Sequence, residues 1–237
     1  MLWQEEDVKT EYVVPDDVVD VSFQIDCKQI ALDHAHDLSQ ALLAHLPWLA
    51  TEKEAGVHMI HGASTGNGWI RPGEADNSDF IYLSKRSRMQ LRLPRERLAD
   101  ADSLIGKTLD IGGNSVRVGR YQTRPLTVLG TLFSRYVLVE PGEDEDQFML
   151  RIAAEMKELN INVKKMLCGI GHTFNSPQGK LTTLSIMVAD MDVPSSVTLQ
   201  RRGVGRGREM GFGLFLPHKS IKPVGDMSDK THFNGSK

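Results

Sequence analysis

The order of strand-like and helix-like periodicities constrains this chain most, because the order occurs twice. From Val18 to Ile25 apolar and polar residues alternate as in a half-buried strand. Ala35, Leu38, Leu42 and Leu46 then form one helical stripe between about Asp33 and Leu46, with Asp33 as N-cap and Pro47 as stop. Val57 to Ile60 reads as a short strand, and Gly62 to Gly73 as a long loop containing Gly66-Asn67-Gly68. Phe80 to Leu93 alternates as one long strand, Pro94 opens a short helix ending near Gly106, and Thr108–Ile111 and Ser115–Val118 turn about Gly112-Gly113-Asn114. That is β-α-β-β-α-β with its last strand doubled.

The series restarts with a β-branched and aromatic stretch, Leu126 to Val139, and a helix from Asp144 to Leu159 with Met149, Ile152, Ala153, Met156 and Leu159 inward. Strands Val163–Ile170 and Leu181–Ala189 flank a turn-rich connection, Gly171 to Gly179. A short helix, Ser195 to Arg202, and a strand, Phe212 to Leu216, complete the series. The expected architecture is α+β, with tandem ferredoxin-like (RRM-like) domains over residues 17–122 and 126–222. Residues 1–16 read as a loose lead and 223–237 as a flexible tail.

Between the last predicted helix and strand lies Arg201-Arg202-Gly203-Val204-Gly205-Arg206-Gly207-Arg208-Glu209-Met210-Gly211-Phe212-Gly213. Glycine opens backbone positions closed to other residues, so such a loop can present its N–H groups to a ligand at close range. Arginine adds fixed, multidentate donors for phosphate. A helix before the loop and a strand after it invert the order of the Walker and dinucleotide fingerprints. A phosphate polymer is the ligand that fits; a tight turn needing several left-handed residues is the plainer alternative.

Net charge is −3, but its distribution is uneven. Eleven Lys or Arg residues lie between Lys85 and Arg135 against four acids, and six against one from Arg201 to Lys222, which can focus a positive field on one surface. Alternation sets Arg86, Arg88 and Arg92 side by side at the spacing of a phosphate backbone, with Arg117, Arg120 and Arg124 extending the track. Cys27 and Cys168 are the only cysteines, which excludes a disulfide framework and fits a reducing, cytoplasmic setting. No apolar run reaches membrane-spanning length, and the acidic start after Met1 lacks a secretion signal.

The run from Gly203 to Gly213, followed by a strand, resembles the glycine-rich loop of the Cas6 endoribonucleases of CRISPR systems. With Asp33-His34-Ala35, Ile60-His61-Gly62-Ala63, Gly66-Asn67-Gly68-Trp69 and Phe215-Leu216-Pro217-His218-Lys219, the pattern over residues 17 to 222 is most similar to the Cmx6-type branch. The resemblance implies metal-independent cutting of repeat RNA in the precursor transcript, with no cofactor. A 2′-hydroxyl would attack the adjacent phosphate, leaving a 2′,3′-cyclic phosphate or 3′-phosphate and a 5′-hydroxyl. Its partners would be the repeat RNA, the retained product and other Cas proteins of an interference complex. A non-cleaving RNA-binding subunit of such a complex is the alternative.

Eight histidines compete for the proton-transfer role, which histidine suits because its ordinary pKa lies near neutrality. The resemblance favours His34, at the start of the first helix, as general base over a decorative helix-start role. His61, opening a loop, is the second candidate or an RNA contact; His36 and His58 face elsewhere. Lys165 is a candidate to oppose developing charge. His218 and Lys219 end the last strand, as RNA contacts or a solvated terminus. The expected RNA-binding set is Arg86, Arg88, Arg92, Arg117, Arg120, Arg201, Arg202, Gly203, Gly205, Arg206, Gly207, Arg208, Gly211, Gly213 and Lys219. Phe212 must pack beneath the loop or stack on a base. The histidine spacings lack the carboxylates of a metal site.

Overall fold

Alternation along β1 (Val18–Asp26) buries Val19, Val21, Phe23 and Ile25 on one face and leaves Asp20, Ser22 and Gln24 on the other. The computed structural model describes residues 12–62 and 79–218. After β1 come β2 (Gln29–Ala31), α1 (Ala35–Leu43), β3 (Gly56–His58), β4 (Phe80–Tyr82), β5 (Arg88–Pro94), α2 (Leu98–Asp102), β6 (Thr108–Ile111) and β7 (Asn114–Pro125). Five of these strands form an antiparallel sheet in the order β3-β5-β1-β7-β6, and β2 pairs with β4 in a separate ribbon. The predicted stripe Ala35, Leu38, Leu42 and Leu46 is buried, and Leu38, Leu42 and Leu46 join Phe23, Met89, Leu91 and Leu93 in the first core. Each such side chain contributes about 1.5–3 kcal/mol on burial.

The second half runs β8 (Leu132–Leu138), α3 (Glu145–Glu158), β9 (Lys165–Ser176), β10 (Gly179–Ala189), α4 (Val193–Arg202) and β11 (Leu216–Pro217). Its sheet has the order β11-β8-β10-β9 and is antiparallel throughout. A capping box between Asp144 and Gln147 starts α3, and Phe148, Ile152 and Met156 form its buried stripe. Met149, Ala153 and Leu159 are only partly covered, so the stripe is rotated slightly from the expected one.

Several expected boundaries move. The long strand Phe80–Leu93 is two strands, because β4 leaves to pair with β2 and a turn closes between Ser84 and Ser87. The hairpin strand expected to stop at Val118 continues to Pro125, paired along β1. The connection at Gly171–Gly179 is mostly ladder, since β9 and β10 pair up to Ser176 and Gly179. The final strand shrinks to Leu216–Pro217, and β8 begins at Leu132 rather than Leu126. Asp33 does not cap α1: His34 holds that position, while the Asp33 carboxylate accepts from the backbone and side-chain N–H groups of Asn175 in β9, at 2.7 and 2.9 Å.

That last bond crosses between the halves, and it has company. Ala35 and Met59 from the first half pack with Tyr136, Leu138, Phe174 and Phe212 from the second. Val18 meets Leu126 and Val197 in a smaller cluster. The most deeply placed link is Arg92, 0% exposed, whose guanidinium pairs with Asp20 at 2.8 and 2.9 Å and donates to the carbonyls of Gln200 and Phe215 at 2.7 and 2.9 Å.

Candidate functional site

The glycine-rich loop is packed between the two halves. Gly203, Gly205, Gly207, Gly211 and Gly213 all have positive φ, a region other residues enter at a cost. A Cβ on Gly213 would collide with the Val204 carbonyl, and one on Gly211 would lie 2.8 Å from the Met59 side chain. Phe212 is 0% exposed against Phe174, their ring centroids 5.2 Å apart, so its ring packs beneath the loop and does not stack on a base.

The loop's arginines are largely engaged within the protein. Arg201 bridges to Glu54 and Asp17, and Arg206 pairs with Glu140 at 3.0 Å. Arg208 donates to the Ala55 and Arg201 carbonyls, and burial, with Arg92 and Arg202 nearby, pushes its guanidinium down to about 9. The many-left-handed-residue turn therefore explains most of this segment. Arg202, Gly205 and Arg206 are its exposed surface.

His34 is also committed. The ring is 1% exposed; Nδ1 lies 2.8 Å from the Ala31 carbonyl and Nε2 lies 3.0 Å from the Ile60 N–H. A carbonyl only accepts and an N–H only donates, so Nδ1 carries the proton and Nε2 accepts. Both nitrogens hold the start of α1 to the chain just after β3, so the leading general-base candidate is engaged within the protein. Lys165 is equally remote from this duty, exposed on the edge strand β9 and paired with Asp190 at 2.7 Å. Arg92 is buried and is corrected from RNA contact to link between the halves. Lys219 and the Gly66-Asn67-Gly68 loop lie outside the described residues.

Two concave regions among the described residues gather histidine or arginine side chains. The first is a cavity of about 150 Å³ where the halves meet, lined by His58, Met59 and His61 from the first half and by Phe133, Arg135, Tyr136, Gly211, Leu214, Leu216, Pro217 and His218 from the second. Among the described residues no carboxylate lines it. The Phe133 ring lies between two polar neighbours, His218 with ring centroids 5.8 Å apart and the Arg135 guanidinium 5.9 Å from its centre. His61 was a sequence candidate. Arg135 and Tyr136 were missed, and their position became visible only when β11 paired beside β8. Among the described residues, no group of three or more His, Cys, Asp or Glu side chains could hold a metal ion.

The second region is a groove on the polar face of the first sheet. Ser22, Gln24, Gln90 and Gln122 form its floor, with Arg86, Arg88, Arg120 and Arg124 around them, enclosing about 470 Å³. Lys85 and Arg117 extend it past Asp26. The two regions are joined. Register pairs Gln122 with Ser22, Ser22 with Gln90 and Gln90 with His58, a row of polar side chains across four strands from groove to cavity. His58 is fixed at the end of that row, its Nε2 3.7 Å from Asp20. Burial pushes the Asp20 carboxyl up, but the Arg92 charge and its two hydrogen bonds, with His58 nearby, hold it well below the usual carboxylate range.

Two antiparallel sheets, an arginine-rimmed groove and a histidine-lined cavity define a mixed α+β protein. Residues 19–220 match the family model described as Cas6 Crispr. The CRISPR-associated endonuclease Cas6 of Myxococcus xanthus (strain DK1622) is 28% identical over 199 residues, 84% of this chain and 81% of that relative. A solved structure described as CRISPR associated protein Cas6 shares the fold with a TM-score of 0.57 at 12% identity, covering 85% of this chain and 100% of that one. Another, described as an RAMP protein binding different RNA substrates, gives 0.57 at 11% identity, over 84% and 98%. The chain belongs to the Cas6 family, and with it to the RNA-binding endoribonucleases of CRISPR antiviral defence.

Proposed function

We propose that the protein cuts the repeats of precursor CRISPR RNA without a metal, by attack of a 2′-hydroxyl on the adjacent phosphate, and keeps the product. The observation that carries this reading is the polar row joining the arginine groove to the histidine cavity. A strand held by its phosphates in the groove is led across Gln90 and His58 to His61, which takes the 2′-proton, while Arg135 opposes the charge building on the phosphoryl oxygens. Imidazole, guanidinium and phenol are the donors this chemistry needs. Retention follows from the same layout, since one broken P–O bond leaves the groove contacts in place. The partners are then the repeat RNA and, on the family's grounds, other Cas proteins of an interference complex.

Each half is a ferredoxin-like unit in this reading, over residues 17–122 and 126–222. In support, the first and third strands of each β-α-β-β-α-β series lie side by side, with the fourth beside the first and the second beside the third. Within the family we place the chain with the Cmx6-type branch, on the residue pattern quoted above. Arg202 and Arg206 are the loop residues offered as RNA contacts, beside Arg86, Arg88, Arg117 and Arg120.

Incubation with the host repeat RNA in excess chelator, beside a substrate with 2′-deoxyribose at the cut, tests the reaction. Cleavage of the first and none of the second is expected. Tight binding without cleavage would instead favour the non-cleaving RNA-binding subunit, and cleavage that stops with chelator would overturn the metal-free mechanism.

A further inference from the structure

Displacement at phosphorus by a 2′-oxygen requires two proton transfers at opposite ends of the reacting line. As the 2′-oxygen bonds to phosphorus its proton must leave; as the bond from phosphorus to the 5′-oxygen breaks, that oxygen must gain one. A single imidazole on the attacking side serves the first transfer only. Resting on the cleavage reading above, we propose that His218 is the second proton-transfer group, the acid that protonates the leaving 5′-oxygen.

Three observations support the assignment. His218 and His61 come from different halves of the molecule and line the same cavity, which a substrate entering from the groove would have to share. His218 is positioned by two contacts: its backbone N–H donates to the Thr131 carbonyl at 3.0 Å, and its imidazole lies against Phe133 at an interplanar angle of 57°. Its Nδ1 is buried without a hydrogen-bond partner among the described residues, a state that leaves desolvation uncompensated until a partner arrives. In contrast to His34, this histidine is placed and not consumed. Among the described residues, the charged and titratable groups around it in the cavity are His58, His61, Arg135 and Tyr136, a set with a cation and no carboxylate.

In the completed step the 2′-hydroxyl proton passes to His61, the new P–O2′ bond closes the cyclic phosphate, the P–O5′ bond breaks, and the proton of His218 passes to the 5′-oxygen. Exchange with solvent resets both rings.

The test uses the full chain with two substrates, the natural repeat RNA and one in which sulfur replaces the leaving 5′-oxygen at the cut. A thiolate leaves without protonation. His218→Ala should cut the natural RNA about 10²–10⁴-fold more slowly, and should cut the sulfur-bridged RNA at close to the wild-type rate; His61→Ala should be slow on both. His218→Gln, measured beside it with thermal melting and RNA affinity, covers the case in which alanine disturbs the fold. Normal cutting of natural RNA by both His218 variants would overturn the proposal, and so would equal loss on the two substrates, the mark of a structural role. Either result leaves the cleavage reading intact, whereas a wild-type protein that cuts neither substrate in chelator overturns that reading itself.

Discussion

Arg92 shows how far a single side chain can depart from what its neighbours in sequence imply. Alternation in β5 assigned it correctly to the polar face with Arg88 and Gln90, but nothing in that strand reports that α4 and β11 cover one end of the face. The surroundings of His34 were hidden for a related reason: position at a helix start was legible, whereas the Ala31 and Ile60 partners that occupy its ring come from pairings 3 and 26 residues away. The Asp20–Arg92 pair yields a prediction about pH. Because folding lowers the Asp20 pKa, its stabilisation is complete above the unfolded value of about 3.9 and is lost as pH falls from there toward the folded value. Asp20→Asn leaves the buried guanidinium without its counter-charge and should lower stability by about 3–5 kcal/mol near neutrality. The melting-temperature gap between variant and wild type should narrow below about pH 4; a gap independent of pH would count against the assignment.

At the level of elements, most of the architecture was legible because periodicity and punctuation agreed. The strand Thr108–Ile111 and the helix opened by Asp144 stand where they were expected. Misjudged segments are those where pairing overrode composition. The glycines, serine, asparagine and proline of 171–179 read as turn, yet cross-strand bonds to β10 hold most of them extended. Between Leu83 and Arg88 a continuing alternation concealed a change of partner from β2 to β1 and β3. The glycine-rich loop was located but its packing between the halves was not, since glycine content reports freedom of backbone and not what the backbone approaches. Its positions should therefore differ in tolerance. Gly213→Ala must keep φ near +67° and push a methyl into the Val204 carbonyl, for a loss of about 1–3 kcal/mol or more. Gly205→Ala has the same φ but meets only a Val137 methyl at 3.8 Å, so its cost should stay near 1 kcal/mol. Denaturant midpoints that rank the two the other way would contradict this packing.

For the whole molecule, charge segregation in the sequence pointed to the groove before any fold was known, and four of the arginines from the 85–135 stretch do gather there. The histidine cavity was half legible: His61 was a candidate, but its companions arrive from β8 and β11, beyond the reach of local pattern. Electrostatic binding in the groove has a measurable signature. Each phosphate contact to a single strand contributes about 0.7 to the slope of log affinity against log salt, so replacing Arg88, Arg120 and Arg124 together by alanine should flatten the slope by about 2 and weaken binding to unrelated RNA as much as to the repeat. An unchanged slope in a salt titration would remove the groove from the binding surface.

Arg92 and the carbonyl of Phe215 stand 123 residues apart in the chain, yet they are hydrogen-bond partners. A ribosome adding about 5–20 residues per second takes roughly 6–25 s to cover that interval. The first sheet is complete in sequence only at Pro125, and from there until Phe215 is added one end of its polar face stays bare and the cavity lacks Gly211, Leu214, Leu216 and His218. A nascent chain thus carries all the residues of its arginine groove well before it carries those that complete the histidine cavity.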